Sequence, residues 1–405
     1  MAIKAGQILH DVDGFVVDRI QTGGVSSLNI PEEKIYELGN YQAVATVRDV
    51  ADLSFDIESL DVSTEIESLI LGKDPTVAVE GDEFDFVESL PMDVISPFKA
   101  GSGNFDIVKG VAVPYLTLES ATYRFGVRQN STQQYTFKGD AVYYIPGSPR
   151  SQKEPLASGP TFAFDDPALK YVESGDDLYA LSVCVKNEAT NTYKRLFIGD
   201  HYTNTATQLT LLDDFVAQGY DTIHFVYGTA VVDNYPQTVH EGVSVKPATV
   251  RGKDIDVYIM DASQATPTFK RWSGVQSFEV TRRVTLDADE ELGNPHYIAQ
   301  DYDVPEVTGN VVLRPTNPDD LWEKLRQITN IPATNEIMGV YSSQPLQVEL
   351  RVNDPDTGVL LKTLYVPDAR FTPPNIQGQV QQKLQVTINF TSDGGQLKVY
   401  KGARP

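Results

Sequence analysis

One tetrapeptide in this chain occurs twice at long range. Glu37-Leu38-Gly39-Asn40 returns as Glu291-Leu292-Gly293-Asn294, an offset of 254 positions (291 − 37). A single short match means little, but the spacing persists. Pro91 and Pro345 are 254 apart (345 − 91), and each opens a strand-like segment. Val113-Pro114 and Val366-Pro367 are 253 apart (366 − 113), and each closes the hairpin that follows. Asp140 and Asp393, also 253 apart (393 − 140), each follow an alternating run ending in Phe137 or Phe390. A spacing that drifts by a single residue along its whole length implies two copies of one fold with one small insertion or deletion.

The physical pattern repeats with the letters. Val25 to Ile30 and Leu53 to Ile57 alternate apolar and polar residues, as half-buried strands do. Between them lies a polar segment, Pro31 to Asn40, too long for a tight turn. Val275 to Val284 and Val304 to Leu313 flank Asp287 to Asn294 in the same order. Each copy then offers one helix. Ser63-Thr64-Glu65 precedes Ile66, Leu69 and Ile70, and Asn317-Pro318-Asp319-Asp320 precedes Leu321, Trp322, Leu325 and Ile328. A Ser or Asn cap, Pro at the first position and acids in the first turn suit a helix start, and the apolar spacing predicts one buried face.

A hairpin follows in each copy. Leu346 to Val352 and Leu360 to Val366 flank the turn cluster Asn353 to Gly358; Met92 to Phe98 and Phe105 to Val113 flank Ala100 to Asn104. The last strand is clearest as Leu384 to Phe390. Its counterpart alternates less well, because Ser131 and Gln133 stand where Leu384 and Val386 stand. The expected domains are copy one, residues 1–147; an inserted β-rich domain, 148–245; and copy two, 246–405. Within the insertion, Leu178 to Val185, Arg195 to Ile198 and Thr222 to Val232 read as strands, Leu209 to Gln218 includes a short helix, and 147–152 and 157–160 read as linkers.

Charge limits the partners. With 33 Lys and Arg against 56 Asp and Glu, the formal net charge is −23. Such a chain does not grip duplex nucleic acid through counterion release, which needs clustered cations, though it can surround it. Its acidity also serves solubility. The one cysteine, Cys184, lies in an apolar-alternating run and reads as a buried small hydrophobe, with a reactive thiol as the alternative. The N-terminus lacks the apolar core of a signal peptide, and no apolar run approaches membrane-spanning length. The expectation is a protein made and kept in a cytoplasm or in a particle assembled there.

Chemistry finds little foothold. The five histidines, His10, His201, His224, His240 and His296, are scattered and never take a metal-binding spacing. No G-x-S-x-G elbow or phosphate loop is present. Asp287 to Glu291 and Asp354-Pro355-Asp356 cluster oxygens that suit weak Ca²⁺ binding, but neither has EF-hand spacing, so solvated loop acids are the reading adopted. No catalytic, cofactor-binding or metal residue is assigned, no cofactor is expected, and the chain is read as not an enzyme.

The segment order resembles the tail tube proteins of tailed bacteriophages. The residues that carry the resemblance are Gly274-Val275-Gln276-Ser277-Phe278, Glu291 to Asn294, the capped helix Pro318 to Ile328, Val366-Pro367 and the Gln-rich strand Gln381 to Asp393. It covers both copies and leaves the insertion unexplained. It implies a mainly β fold: two tandem tail-tube-like β-sandwich or barrel modules, each with one helix outside, plus the small inserted domain. It further implies rings stacked into a tube that conducts DNA. Single-module members form hexameric rings, so a duplicated module implies a homotrimer with six modules per ring.

The partners so implied are the chain itself, other tail proteins (tape measure, terminator and distal tail proteins) and genomic DNA passing through the lumen without specific binding. No membrane is involved, and the location is the virion tail, assembled in the host cytoplasm. An acidic lumen would repel DNA from its wall over the screening length of about 8 Å. The polar loops 30–40 and 286–294 and the hairpin tips 99–104 and 353–358 are candidate contacts between subunits or rings. Rival readings are a tail hub or distal adaptor ring with the same module, a carbohydrate-binding adhesin presenting Tyr193, Tyr202 and Tyr220, and a glycan hydrolase with unrecognised carboxylates.

Overall fold

The structure, a computed structural model, describes residues 11–405 except 13–14, 18–19, 36–44, 49, 61, 72–74, 76, 87–90, 100–106, 174–175, 188, 191, 232–249, 262–267, 292–293, 295, 330–344, 373 and 378–383. His10, His240, the first Glu37-Leu38-Gly39-Asn40 segment and the tip at 100–104 lie outside the described residues. Among the described residues the fold is mainly β, with antiparallel sheets and two α-helices.

The strands that repeat between the halves are, in the first, β1 (Ile20–Asn29), β2 (Asp52–Ser59), β3 (Met92–Lys99), β4 (Ile107–Gly126) and β5 (Thr132–Gly139), with α1 (Glu65–Ile70) between β2 and β3. In the second half they are β6 (Val275–Arg283), β7 (Glu306–Leu313), β8 (Leu346–Asn353), β9 (Leu360–Phe371) continued by β10 (Asn375–Gln377), and β11 (Gln385–Ser392), with α2 (Pro318–Thr329) between β7 and β8. Register repeats as well as order. Leu28 opposite Leu53 is matched by Arg282 opposite Val307. Val94 opposite Val113 is matched by Val348 opposite Val366, and Ser59 opposite Gln133 by Leu313 opposite Val386. Each match is the sequence offset of 254 or 253 residues carried into the hydrogen-bond ladder.

The alternation of β2, β5 and β11 is realised as one buried and one uncovered face. Leu53, Phe55 and Ile57 point with Tyr135 and Phe137 into a core that continues through Val307, Val311, Ile388 and Phe390 of the second half. The helices cover this core side. Asn317 caps α2, its Oδ1 accepting the Asp320 amide at 2.8 Å. α1 has Thr64 at its N-cap position but no side-chain cap bond. Trp322, expected on the buried face, is half exposed. The buried side of α2 instead includes Ile328 and Gln327, whose Oε1 accepts the indole N–H of Trp272 at 3.0 Å.

Residues 148–229 form separate sheets: a four-stranded one from 148–155, 222–229, 180–187 and 192–195, and a three-stranded one from 161–163, 208–211 and 202–204. They enclose an apolar cluster of their own that includes Leu156, Phe162, Val183, Phe215 and Phe225. The segment 147–152, expected as a linker, is mostly the edge strand 148–155, where Pro149 is tolerated because one side needs no ladder bond. The helix expected within 209–218 is absent; after strand 208–211 the chain turns, and Asp214 Oδ1 accepts the Ala217 amide at 3.1 Å. The polar connections after β1 and β6 are hairpins. Glu32–Ile35 pairs with Ala45–Arg48, and Leu286–Asp289 with Ala299–Tyr302, again in equivalent register.

Candidate functional site

The two halves meet strand to strand. β6 pairs antiparallel with β4 from Ser277 opposite Gly126 to Arg283 opposite Ser120, so one sheet crosses from half to half. On its uncovered face the Oγ1 atoms of Thr122 and Thr281 lie 3.0 Å apart. Arg124 Nε pairs with Glu279 Oε1 at 3.0 Å, and Arg283 Nη2 with Glu119 Oε1 at 3.2 Å. These ion pairs face solvent and stabilise the joint by at most about 1 kcal/mol each. The backbone ladder and the buried Tyr123, Phe125, Phe278 and Val280 beneath it carry the rest.

Two open edges of this sheet, one in each half, are equivalent to the two strands of the joint. Among the described residues β1 pairs only with β2, and its residues Val25, Leu28 and nearby Ile30 are 38%, 45% and 45% exposed. In the second half, where β4 covers the equivalent strand, the counterparts of Leu28 and Ile30, Arg282 and Val284, are 2% and 1% exposed. At the other end, Arg370 and Phe371 of β9 and all of β10 pair with β11, and no described strand lies along their outer side. That outer side corresponds to the side of β4 that takes β6. An edge of this kind is a template for another chain unless it is blocked.

Two buried polar clusters brace the joint. Glu67 on α1 and Lys362 on β9 are wholly buried, with Nζ 2.5 Å from Oε1. Tyr123 and Tyr135 donate their hydroxyls to the same oxygen at 2.8 Å each, and Lys362 also donates to Gln133 Oε1 at 2.9 Å. Burial, reinforced by the Glu67 charge, holds both tyrosine hydroxyls well above their ordinary pKa, so they remain donors. Gln133 therefore interrupts the apolar alternation of β5 because it belongs to this cluster.

The second cluster centres on Asp140, whose side chain is fully buried. Arg195 of the 148–229 segment donates to it from Nη1 at 2.5 Å and Nη2 at 3.3 Å, and the Tyr297 amide donates at 2.9 Å. His296 Nδ1 stands 3.3 Å away. Burial alone would raise the Asp140 carboxyl, but the Arg195 and His296 charges and hydrogen bonds hold it well below the usual carboxylate range. Arg195 also donates to the Tyr297 carbonyl at 3.0 Å and lies over the Tyr115 ring. Three parts of the chain thus converge on one carboxylate, an arrangement without a sequence-local motif.

The residues singled out by sequence are dispersed. Cys184 is buried, its thiol donating to the Val185 carbonyl at 3.6 Å. His224 is buried in strand 222–229, and His201 Nδ1 accepts the Phe197 amide at 3.1 Å. Asp287 and Asp289 lie on the second hairpin, while Asp354 Oδ1 accepts the Asp356 and Thr357 amides at 2.8 and 2.9 Å within a turn. Among the described residues no group of three or more His, Cys, Asp or Glu is arranged to hold a metal ion. Tyr202 is buried, and Tyr193 donates to the Gln300 carbonyl at 3.3 Å, so neither is held out for a ligand. No described helix is long and apolar enough to cross a membrane.

No protein-family model and no curated protein matches the chain. Among solved structures it is similar to a chain of the anti-feeding prophage baseplate determined by cryo-EM with 6-fold symmetry, at a TM-score of 0.29 and 11% identity, covering 39% of this chain and 98% of that one. A likeness of that size does not carry a functional argument, which rests instead on the sheet edges.

Proposed function

We propose that the chain is a structural virion protein whose copies join edge to edge into trimeric, pseudo-hexameric rings, which stack into a phage tail tube that conducts DNA. The observation that carries the reading is the joint between β4 and β6. The open edges at β1 and at β9–β10 are the same two edges, one from each half, with no partner strand among the described residues. Repeating the joint between copies closes these two edges, the usual route by which equivalent contacts build a ring. Three copies then give six modules, the number that the tail-tube resemblance implies.

The uncovered face of the sheet supports a channel role. It carries Asp56, Glu58 and Glu306, while its cations are engaged: Lys138 with Asp52, Arg124 with Glu279 and Arg283 with Glu119. Such a wall repels phosphates and offers them few free ammonium or guanidinium groups.

Closure is tested by cysteine cross-linking. The pair Thr281 and Thr122 in the internal joint corresponds to Ser27 and Asn375 at the open edges (281 − 254 and 122 + 253). In a Cys184→Ser background, the double variant Ser27→Cys, Asn375→Cys is expected to oxidise to covalent dimers and trimers, and electron microscopy to show rings or tubes. Dispersed monomers with no cross-link refute the proposal. Isolated trimeric rings that never stack favour an adaptor ring instead.

A further inference from the structure

The joint between β4 and β6 has two unlike ends. At one, the last residues of β4 and the first of β6 line a cavity of about 360 Å³, with residues drawn from 252–257 and 271–274. Its apolar lining includes Phe125, Val257, Trp272 and Phe278, all buried, and Val127, which is 45% exposed. At the other end Arg283 stands opposite Glu306, the first residue of β7. The Asp303 amide donates to the Thr285 carbonyl at 3.0 Å, and next to it Val304 is 80% exposed. β6 is nine residues long, which sets the cavity and Val304 roughly 25 Å apart along one strand.

The ends also differ in charge. The segments that line the cavity bring Arg128, Arg251, Lys253 and Arg271 to their end, all exposed, while Asp254 and Asp256 pair with two of them. The opposite end carries Asp301, Asp303 and Glu306, also exposed, and Arg283 there pairs with Glu119. One end is thus concave and cationic, and the other presents an apolar side chain among carboxylates.

We propose that these ends are the two halves of a ring-to-ring contact: Val304 of one copy enters the cavity of a copy in the next ring, its flanking carboxylates against that copy's cations. The inference rests on the ring reading and supplies the surfaces through which rings stack. Closing the ring occupies the edges of the sheet, and the ends of its strands are what remains to meet along the axis. A head-to-tail contact between unlike surfaces, repeated without closing, builds an open filament instead of a capped pair. Opposite charges orient the approach, and the apolar contact supplies most of the affinity.

Variants of the full chain that each spoil one end test this. Val304→Asp puts a carboxylate on the entering side chain, and Val127→Asp puts one in the cavity wall. Both positions are exposed, so both variants are expected to fold and to form the edge cross-link when Ser27→Cys and Asn375→Cys are added. Val304→Ser and Val127→Ser replace them if an aspartate blocks the ring. Burying a valine is worth about tenfold or more in an association constant, and three such contacts join each pair of rings. Either variant alone is therefore expected to shorten stacks at least about tenfold by electron microscopy, down to single rings. Mixed as preformed rings, the two are expected to give pairs of rings and nothing longer, because the intact valine of one meets the intact cavity of the other. Long tubes from either variant alone overturn the inference, as does a mixture that stays single. Wild-type rings that never stack overturn it while the ring stands. If the wild-type background gives no edge cross-link, the ring reading fails and the inference with it.

Discussion

Replacing Lys362 with methionine removes the ammonium that faces Glu67 and leaves that carboxylate wholly buried. Tyr123 and Tyr135 still donate to Oε1, but Oε2 has no hydrogen-bond partner among the described residues. Breaking one side of a buried pair costs about 3–5 kcal/mol, so Lys362→Met is expected to lose that much. Glu67→Leu removes the charge that faces Lys362, which keeps its hydrogen bond to Gln133 Oε1, and is expected to cost a similar amount. The double variant buries no charge. Tyr135 can turn to Gln133, 2.6 Å away, so the main residual penalty is the Tyr123 hydroxyl, about 1–3 kcal/mol. The singles together therefore cost far more than the double, with a coupling of at least about 3 kcal/mol. The chain's two tryptophans, Trp272 and Trp322, both lie in the second half. Urea titration followed by tryptophan fluorescence therefore asks whether Glu67→Leu, in the first half, destabilises the second. Additive single and double effects, or a fluorescence midpoint untouched by Glu67→Leu, would refute the view that this pair ties the halves together.

Other outcomes follow from the same contacts. A Cβ at Gly309 would lie 2.2 Å from the Phe390 ring and 2.8 Å from the Glu279 carbonyl oxygen, so Gly309→Ala is expected to lower stability by about 1–3 kcal/mol in urea titration, with Phe390→Leu recovering part of it. The depressed Asp140 pKa contributes stability that is complete above the unfolded value of about 3.9 and is lost as pH falls toward the lower folded value. Wild-type midpoints should fall between about pH 5 and pH 3, and Asp140→Asn should start lower and fall less steeply. The positions that correspond to Glu119, Arg124 and Arg283 at the open edges are Thr372, Gln377 and Asn29, all neutral. Rings should accordingly persist by light scattering at about 1 M salt, where screening acts over about 3 Å.

What the sequence disclosed and what it hid divide along physical lines. Strands such as β2 and β11 were legible because one face is buried and the other wet, which writes a period of two into the chain. Hairpin 286–302 has the sequence of a loop, since strands such as Leu286-Asp287-Ala288-Asp289 are only partly buried and have no apolar face to reveal them. The strand 148–155 was hidden for a related reason: Ser148, Pro149 and Arg150 form an edge whose partner, 222–229, carries the apolar side chains. Gln133 breaks the alternation of its strand for a reason the local sequence does not carry, because its partner Lys362 lies 229 positions away. The joint itself left no mark, because alternation tells which face of a strand is buried and not which strand lies alongside.

The divergence of the halves follows from where each change sits. The internal joint has charged groups buried across it: Glu67 meets Lys362 there, and Asp140 gathers Arg195 and the Tyr297 amide. A second ladder, with Val399 opposite Phe84, reinforces the same joint. The equivalent of Lys362 is Lys109, and the equivalent of Glu67 is Leu321 (362 − 253 and 67 + 254), so a closing joint between copies cannot reproduce the buried pair. Removing one partner of such a pair is costly, which suits a joint formed once, during folding, by segments of a single chain. A joint that must form between separate copies would first have to hold those charges in water and then strip them on closing. Neutral residues at the open edges avoid that penalty. In the proposed ring, then, duplication lets one joint in two be fixed by folding and leaves the other to assemble through backbone pairing and apolar contact.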